Sequence, residues 1–134
     1  MLKKLNHIAI VVPNISDAKK IYEEKFNAEV SEPKSYSEHG VTVVFVKLEN
    51  TKIELMEPYG ENSPISKFLE KNPNGGMHHI CLEVEDIDKS LKDLNNKKVT
   101  ILGKGKPVNG SHNKPILFLH PKEFCGTLIE LEEE

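Results

Sequence analysis

The sequence contains no arginine: all 18 of its basic residues are lysines. A phosphate-bearing ligand would have to be met by ammonium groups or backbone N–H rather than by a bidentate guanidinium fork. Cysteine is nearly as scarce. Cys81 and Cys125 have neither metal-type spacing nor the density of a disulfide scaffold, so they read as small apolar residues in a reducing compartment. No apolar run is long enough to cross a bilayer. Met1 to Leu5 leads straight into a strand, leaving no room for a signal or transit peptide, and a soluble cytoplasmic protein is expected. Positive charge is not in excess either. A net charge of −3 gives no electrostatic attraction to nucleic acid or an anionic membrane.

The remainder is ordinary for a globular protein, with 37% hydrophobic and 29% charged residues. A chain of 134 residues suits one compact domain, or two half-domains sharing a core. The informative feature is an internal repeat. His7-Ile8-Ala9-Ile10-Val11-Val12-Pro13-Asn14-Ile15 aligns with His79-Ile80-Cys81-Leu82-Glu83-Val84-Glu85-Asp86-Ile87 at an offset of 79 − 7 = 72. Thr51-Lys52-Ile53-Glu54-Leu55 aligns with Thr127-Leu128-Ile129-Glu130-Leu131 at an offset of 130 − 54 = 76. Loops absorb the four-residue slip. Two tandem copies of one supersecondary unit are expected, the first over about 1–58 and the second over about 76–134, joined by a connector at 59–75.

Period-two and helical patterns place the elements. Strands are predicted at 5–12, 28–31, 40–48 and 52–56 in the first copy, with a helix from Asn14 or Ser16 to Phe26. Ala18, Ile21, Tyr22 and Phe26 form its expected buried stripe. A short helix after Ser63-Pro64 crosses the connector. The second copy has a strand around His79, a helix over 88–96, and strands at 99–102, 115–120 and 127–131. Glu132 to Glu134 read as a solvated tail. Each copy is thus βαβββ, and the class is α+β.

His7 and His79 begin equivalent strands; Glu54 and Glu130 occupy equivalent positions on the last strands. Alternation puts Ile8, Ile80, Ile53, Leu55, Ile129 and Leu131 on the opposite face. Taken singly, a strand-end histidine or a glutamate flanked by aliphatics is most simply a solvent-facing residue. In register in both copies, two imidazoles and two carboxylates make a donor set for a divalent transition metal. His112 and Lys114, in the loop Gly110-Ser111-His112-Asn113-Lys114, are either ligand contacts or part of a plain surface loop. His120 is either a substrate contact or a strand-end residue.

The residues also resemble a known family. Asn6-His7-Ile8-Ala9-Ile10, Glu38-His39-Gly40-Val41, Thr51-Lys52-Ile53-Glu54-Leu55, Asn62-Ser63-Pro64-Ile65, Gly75-Gly76-Met77-His78-His79-Ile80, Phe118-Leu119-His120-Pro121-Lys122 and Gly126-Thr127-Leu128-Ile129-Glu130-Leu131 are similar to the vicinal oxygen chelate superfamily, and within it to the methylmalonyl-CoA epimerases. That resemblance implies a single domain over 1–134, in which two tandem βαβββ units form a curved, cup-like mixed sheet around a metal site with helices on the convex side. It implies a divalent ion (cobalt, nickel, manganese or zinc) held by His7, Glu54, His79 and Glu130. It further implies methylmalonyl-CoA as substrate and a homodimer; if that substrate binds, the residues expected to contact it are Ser111, His112, Lys114 and His120.

The implied reaction removes a weakly acidic C2 proton from one face and returns it to the other through an enolate stabilised by the metal. Some bacterial epimerases carry a catalytic glutamate on the third strand, where this chain has Val43. The catalytic pair expected here is therefore Glu130 and Glu54. A carboxylate at Glu54 also matches the two-His, two-Glu set of glyoxalase I, which makes a lactoylglutathione lyase the alternative. A metal-free antibiotic-binding module on the same scaffold is the third reading.

Overall fold

The computed structural model describes every residue from Met1 to Glu134. Contacts group Met1–His7 with His79–Glu134, and Ile8–His78 as a second unit. Strand β1 (Leu2–Val11) contributes its first part to one unit and its last part to the other.

In the unit of Ile8–His78, β1 is followed by α1 (Ile15–Phe26), β2 (Lys34–Tyr36), β3 (Val41–Lys47), β4 (Lys52–Pro58) and α2 (Ser66–Lys71). The strand order is β2-β3-β4-β1, with β4 parallel to β1 and the other pairs antiparallel. Asn14 caps α1 by accepting from the Asp17 N–H at 2.9 Å. On one sheet face Val44, Val46 and Leu55 meet Val12, Ile15 and Ala18. On the other, Ala9, Val11, Val43 and Met56 are covered by Ile65 and the partly buried Phe68 and Leu69.

The expected stripe of α1 is corrected at two positions. Ile21 is 46% and Phe26 70% exposed, whereas Ile15 and Ala18 are buried. At about 100° per residue Ile21 lies roughly a quarter of a turn off the centre of the face formed by Ile15, Ala18 and Tyr22. Phe26 ends the last turn, just before Asn27 adopts a left-handed conformation, and its ring lies 5.6 Å from that of Tyr22. The strand expected at 28–31 reduces to one bridge, Val30 to Val46. Pro33, which has no N–H to donate, interrupts the run before β2.

In the other unit, β5 (Gly76–Val84) enters at its His79–Val84 portion, followed by α3 (Ile87–Asn96), β6 (Val108–Asn109), β7 (Pro115–Leu119), a 3₁₀ turn at Pro121–Glu123 and β8 (Leu128–Glu133). The order is β1-β5-β8-β7-β6; β5 and β8 run parallel and β7 antiparallel to β8. Ile87 and Leu94 of α3 pack on Val84, Leu117, Leu119, Ile129 and Leu131. The strand expected at 99–102 is a single bridge, Ile101 to Leu119, before Gly103 and Gly105 turn the chain at positive φ. Both units are βαβββ, as the repeat requires.

The C-terminal glutamates are not a solvated tail. β8 continues to Glu133, Glu132 is buried, and Glu133 Oε2 accepts from the Ile87 N–H at 3.0 Å. Glu57 Oε2 does the same for the Ile15 N–H at 3.0 Å. The repeat thus extends to a carboxylate at the N-termini of α1 and α3, where N–H groups without intrahelical partners and the helix dipole favour negative charge.

One glycine is demanded by geometry. Gly75 has φ +89°, and a Cβ there would lie 2.5 Å from the Val11 carbonyl oxygen. Gly75→Ala is expected to cost about 1–3 kcal/mol, because both backbone conformation and space forbid the methyl. A urea midpoint equal to that of the unsubstituted protein would contradict this.

Candidate metal centre

Period-two alternation decides which side chains meet. On β5, His79, Cys81 and Glu83 share a face, and register sets Cys81 beside Glu130 and Glu83 beside Glu132 on β8. Phe118 on β7 stands opposite Glu130 from the other side. The aliphatic residues between them face α3, so hydrophobic burial on one side fixes the polar set on the other.

His7 and His79 converge on one carboxylate oxygen. His7 Nε2 is 3.3 Å and His79 Nε2 2.9 Å from Glu130 Oε2. All three residues are at most 5% exposed. The two imidazole rings pack edge to face at 5.5 Å, and the His79 ring meets Phe118 in the same way at 5.5 Å. Burial acts to raise the Glu130 pKa. Hydrogen bonds from His7 and His79, together with their charges, outweigh it and hold the carboxyl at about 2, against an ordinary 4.5.

The donor set fits a divalent cation. Two imidazole nitrogens face one carboxylate oxygen, a set suited to a borderline transition ion. Cys81, expected to be filler, belongs to a buried group in which ligand atoms of His7, Cys81 and Glu130 lie within 4.8 Å of one another. Its isolation in sequence hid that; only strand register reveals it.

Glu54 lies in the other unit, on β4, 4% exposed and paired with Ala9 on β1 and Phe45 on β3. Val43 shares the strand face of Phe45 but sits in the apolar cluster with Val11 and Met56. The site face of β3 therefore offers no carboxylate at that position.

The loop residues divide. His112 Nδ1 is 2.8 Å from Glu132 Oε1, and its ring centroid is 5.8 Å from that of His7. This buried carboxylate partner was missed because Glu132 sits in an all-glutamate terminus. Ser111 is half-buried beside it, whereas Lys114 is exposed. His120 Nδ1 accepts from the Lys122 N–H at 3.0 Å and caps the 3₁₀ turn, so Nε2 is the atom it could offer a substrate.

A family model described as the Glyoxalase/Bleomycin resistance protein/Dioxygenase superfamily matches residues 6–118. The chain belongs to this superfamily.

Within the superfamily, several of its relatives are named epimerases. It is 55% identical to a mitochondrial methylmalonyl-CoA epimerase of Dictyostelium discoideum, over 98% of this chain and 78% of that protein. Identity to an ethylmalonyl-CoA/methylmalonyl-CoA epimerase of Cereibacter sphaeroides is 53%, over 99% of each. A solved methylmalonyl-CoA epimerase in complex with methylmalonyl-CoA and ammonium superposes on 100% of this chain and 96% of its own, with a TM-score of 0.90 at 31% identity. This superfamily member is therefore an enzyme of the epimerase group. No helix in it is long and apolar enough to cross a membrane.

Proposed function

We propose that the protein interconverts the R and S forms of methylmalonyl-CoA at C2, with a divalent cation held by His7, Glu54, His79 and Glu130. The observation that carries the metal half of this reading is the convergence of His7 and His79 Nε2 on Glu130 Oε2, with all three residues buried. The epimerase half rests on relatives at 55% and 53% identity. Cobalt, nickel, manganese and zinc all suit two imidazoles and two carboxylates. When bound, the ion acts as a Lewis acid that lowers the cost of negative charge on the substrate carbonyl oxygen.

The chain's own residues do the rest. Glu130 takes or returns the C2 proton on one face, and Glu54 on the other. A carboxylate at about 2 is a poor base, but that value depends on hydrogen bonds from His7 and His79. Those two nitrogens cannot both ligate a cation and donate to Glu130. Ser111, His112, Lys114 and His120 contact the substrate, with Lys114 offering an ammonium where an arginine-free chain has no guanidinium. The active form is a homodimer.

Solvent deuterium appearing at C2 of methylmalonyl-CoA tests the reaction. Turnover of the methylglyoxal–glutathione adduct instead would support the lyase, and ligand retention without catalysis or bound ion the binding module. Glu54→Gln keeps an oxygen ligand but removes a proton acceptor. It should lower epimerisation about 10²-fold or more, while one epimer still exchanges its C2 proton. Undiminished turnover in both directions would remove Glu54 from the pair.

A further inference from the structure

His7 has a side-chain neighbour on each ring nitrogen. Nε2 faces Glu130, and Nδ1 lies 2.7 Å from Asn6 Oδ1. Asn6 is itself oriented from β5: its Nδ2 donates to Glu83 Oε1 at 3.0 Å. An ionised carboxylate only accepts hydrogen bonds, so Glu83 fixes which end of the Asn6 amide carries the N–H group. The oxygen is then turned to His7. An oxygen beside Nδ1 calls for a proton on Nδ1, and a neutral ring protonated there presents its lone pair at Nε2. The order of donors from Glu83 through Asn6 to His7 thus aims a lone pair at the place where the ion is proposed to bind.

We propose that Asn6, oriented by Glu83, is a positioning residue for the metal: it selects the tautomer of His7 and holds its ring plane. The inference rests on the metal reading above but concerns residues outside the ligand set. Nothing in the repeat announces it. The second-copy counterpart of Asn6 is His78, which packs its ring against Phe68 at 5.3 Å. The two ligand histidines are therefore supported by different neighbours, although their own positions repeat.

The test uses the full chain and cobalt(II) as the probe, with affinity read by competition against a chelator of known strength. Asn6→Leu keeps the approximate volume but removes the acceptor, and it should weaken cobalt binding about 10- to 100-fold. In the zinc-loaded protein the same change should expose the His7 Nδ1–H to fast exchange with water, read by NMR on ¹⁵N-histidine. A second variant reverses the donors. N6D/E83Q lets an amide at position 83 donate to a carboxylate at position 6, which again accepts from His7, so its affinity should stay within about threefold of the unsubstituted protein, the order of a single lost weak contact. Cobalt affinity unchanged in Asn6→Leu, or the swapped pair as weak as Asn6→Leu, would overturn the proposal. If the unsubstituted protein binds no cobalt, it is the metal reading that fails.

Discussion

Glu130→Gln should lower epimerase turnover by roughly 10²- to 10⁴-fold, the range a positioned proton-transfer group supplies. The substitution is nearly isosteric and leaves the apolar packing of Ile129 and Leu131 on the α3 side untouched. What it removes is an anionic oxygen that both buried imidazoles approach, at 3.3 and 2.9 Å. A glutamine still offers one neutral oxygen as ligand, but it takes no proton from carbon. Deuterium wash-in from one C2 epimer should therefore be lost, while a measurable affinity for the ion survives. Full turnover by this variant would remove Glu130 from the chemistry.

The metal-free protein should lose about 3 kcal/mol of folding stability in acid through the same residue. Glu130 is held at about 2 in the folded chain, against 4.5 for the ordinary group. The difference corresponds to roughly 1.4 kcal/mol per pH unit. The unfolded chain binds the proton first as pH falls, so the increment is fully present above about pH 4.5. It fades as pH drops from there toward 2, where the folded carboxyl also protonates. Unfolding free energies from urea titrations between pH 6 and pH 2.5 should diverge between the unsubstituted protein and Glu130→Gln by about that amount. Parallel curves would show that the two histidines do not stabilise the carboxylate.

The parts of the fold that repeat were the parts legible in the sequence. His7 and His79, Glu54 and Glu130, and the aliphatic residues between them follow a period of two in two copies, and strand pairing obeys that period. Residues whose role depends on a neighbour elsewhere in the chain were not legible. Cys81 gains its place near His7 and Glu130 from the β5–β8 register. Glu132 and Glu133 looked like a charged tail, yet one lies against His112 and the other caps α3. Ile21 and Phe26 looked like core because they are apolar residues of an amphipathic helix, but Ile21 lies off the face of Ile15 and Ala18 and Phe26 ends the last turn. Val43 is the instructive departure. An apolar residue within a β-branched run raises no flag by itself, and its meaning comes only from comparison with the bacterial pattern that places a glutamate there.

Under the proposed mechanism, proton exchange at C2 requires an ion held by these side chains. The direct measurement is deuterium incorporation from D₂O into methylmalonyl-CoA by protein stripped with a chelator, before and after one equivalent of cobalt(II) is returned. Exchange that vanishes on stripping and returns with the ion is the predicted result. Exchange that continues unchanged in protein shown by elemental analysis to be metal-free would contradict it.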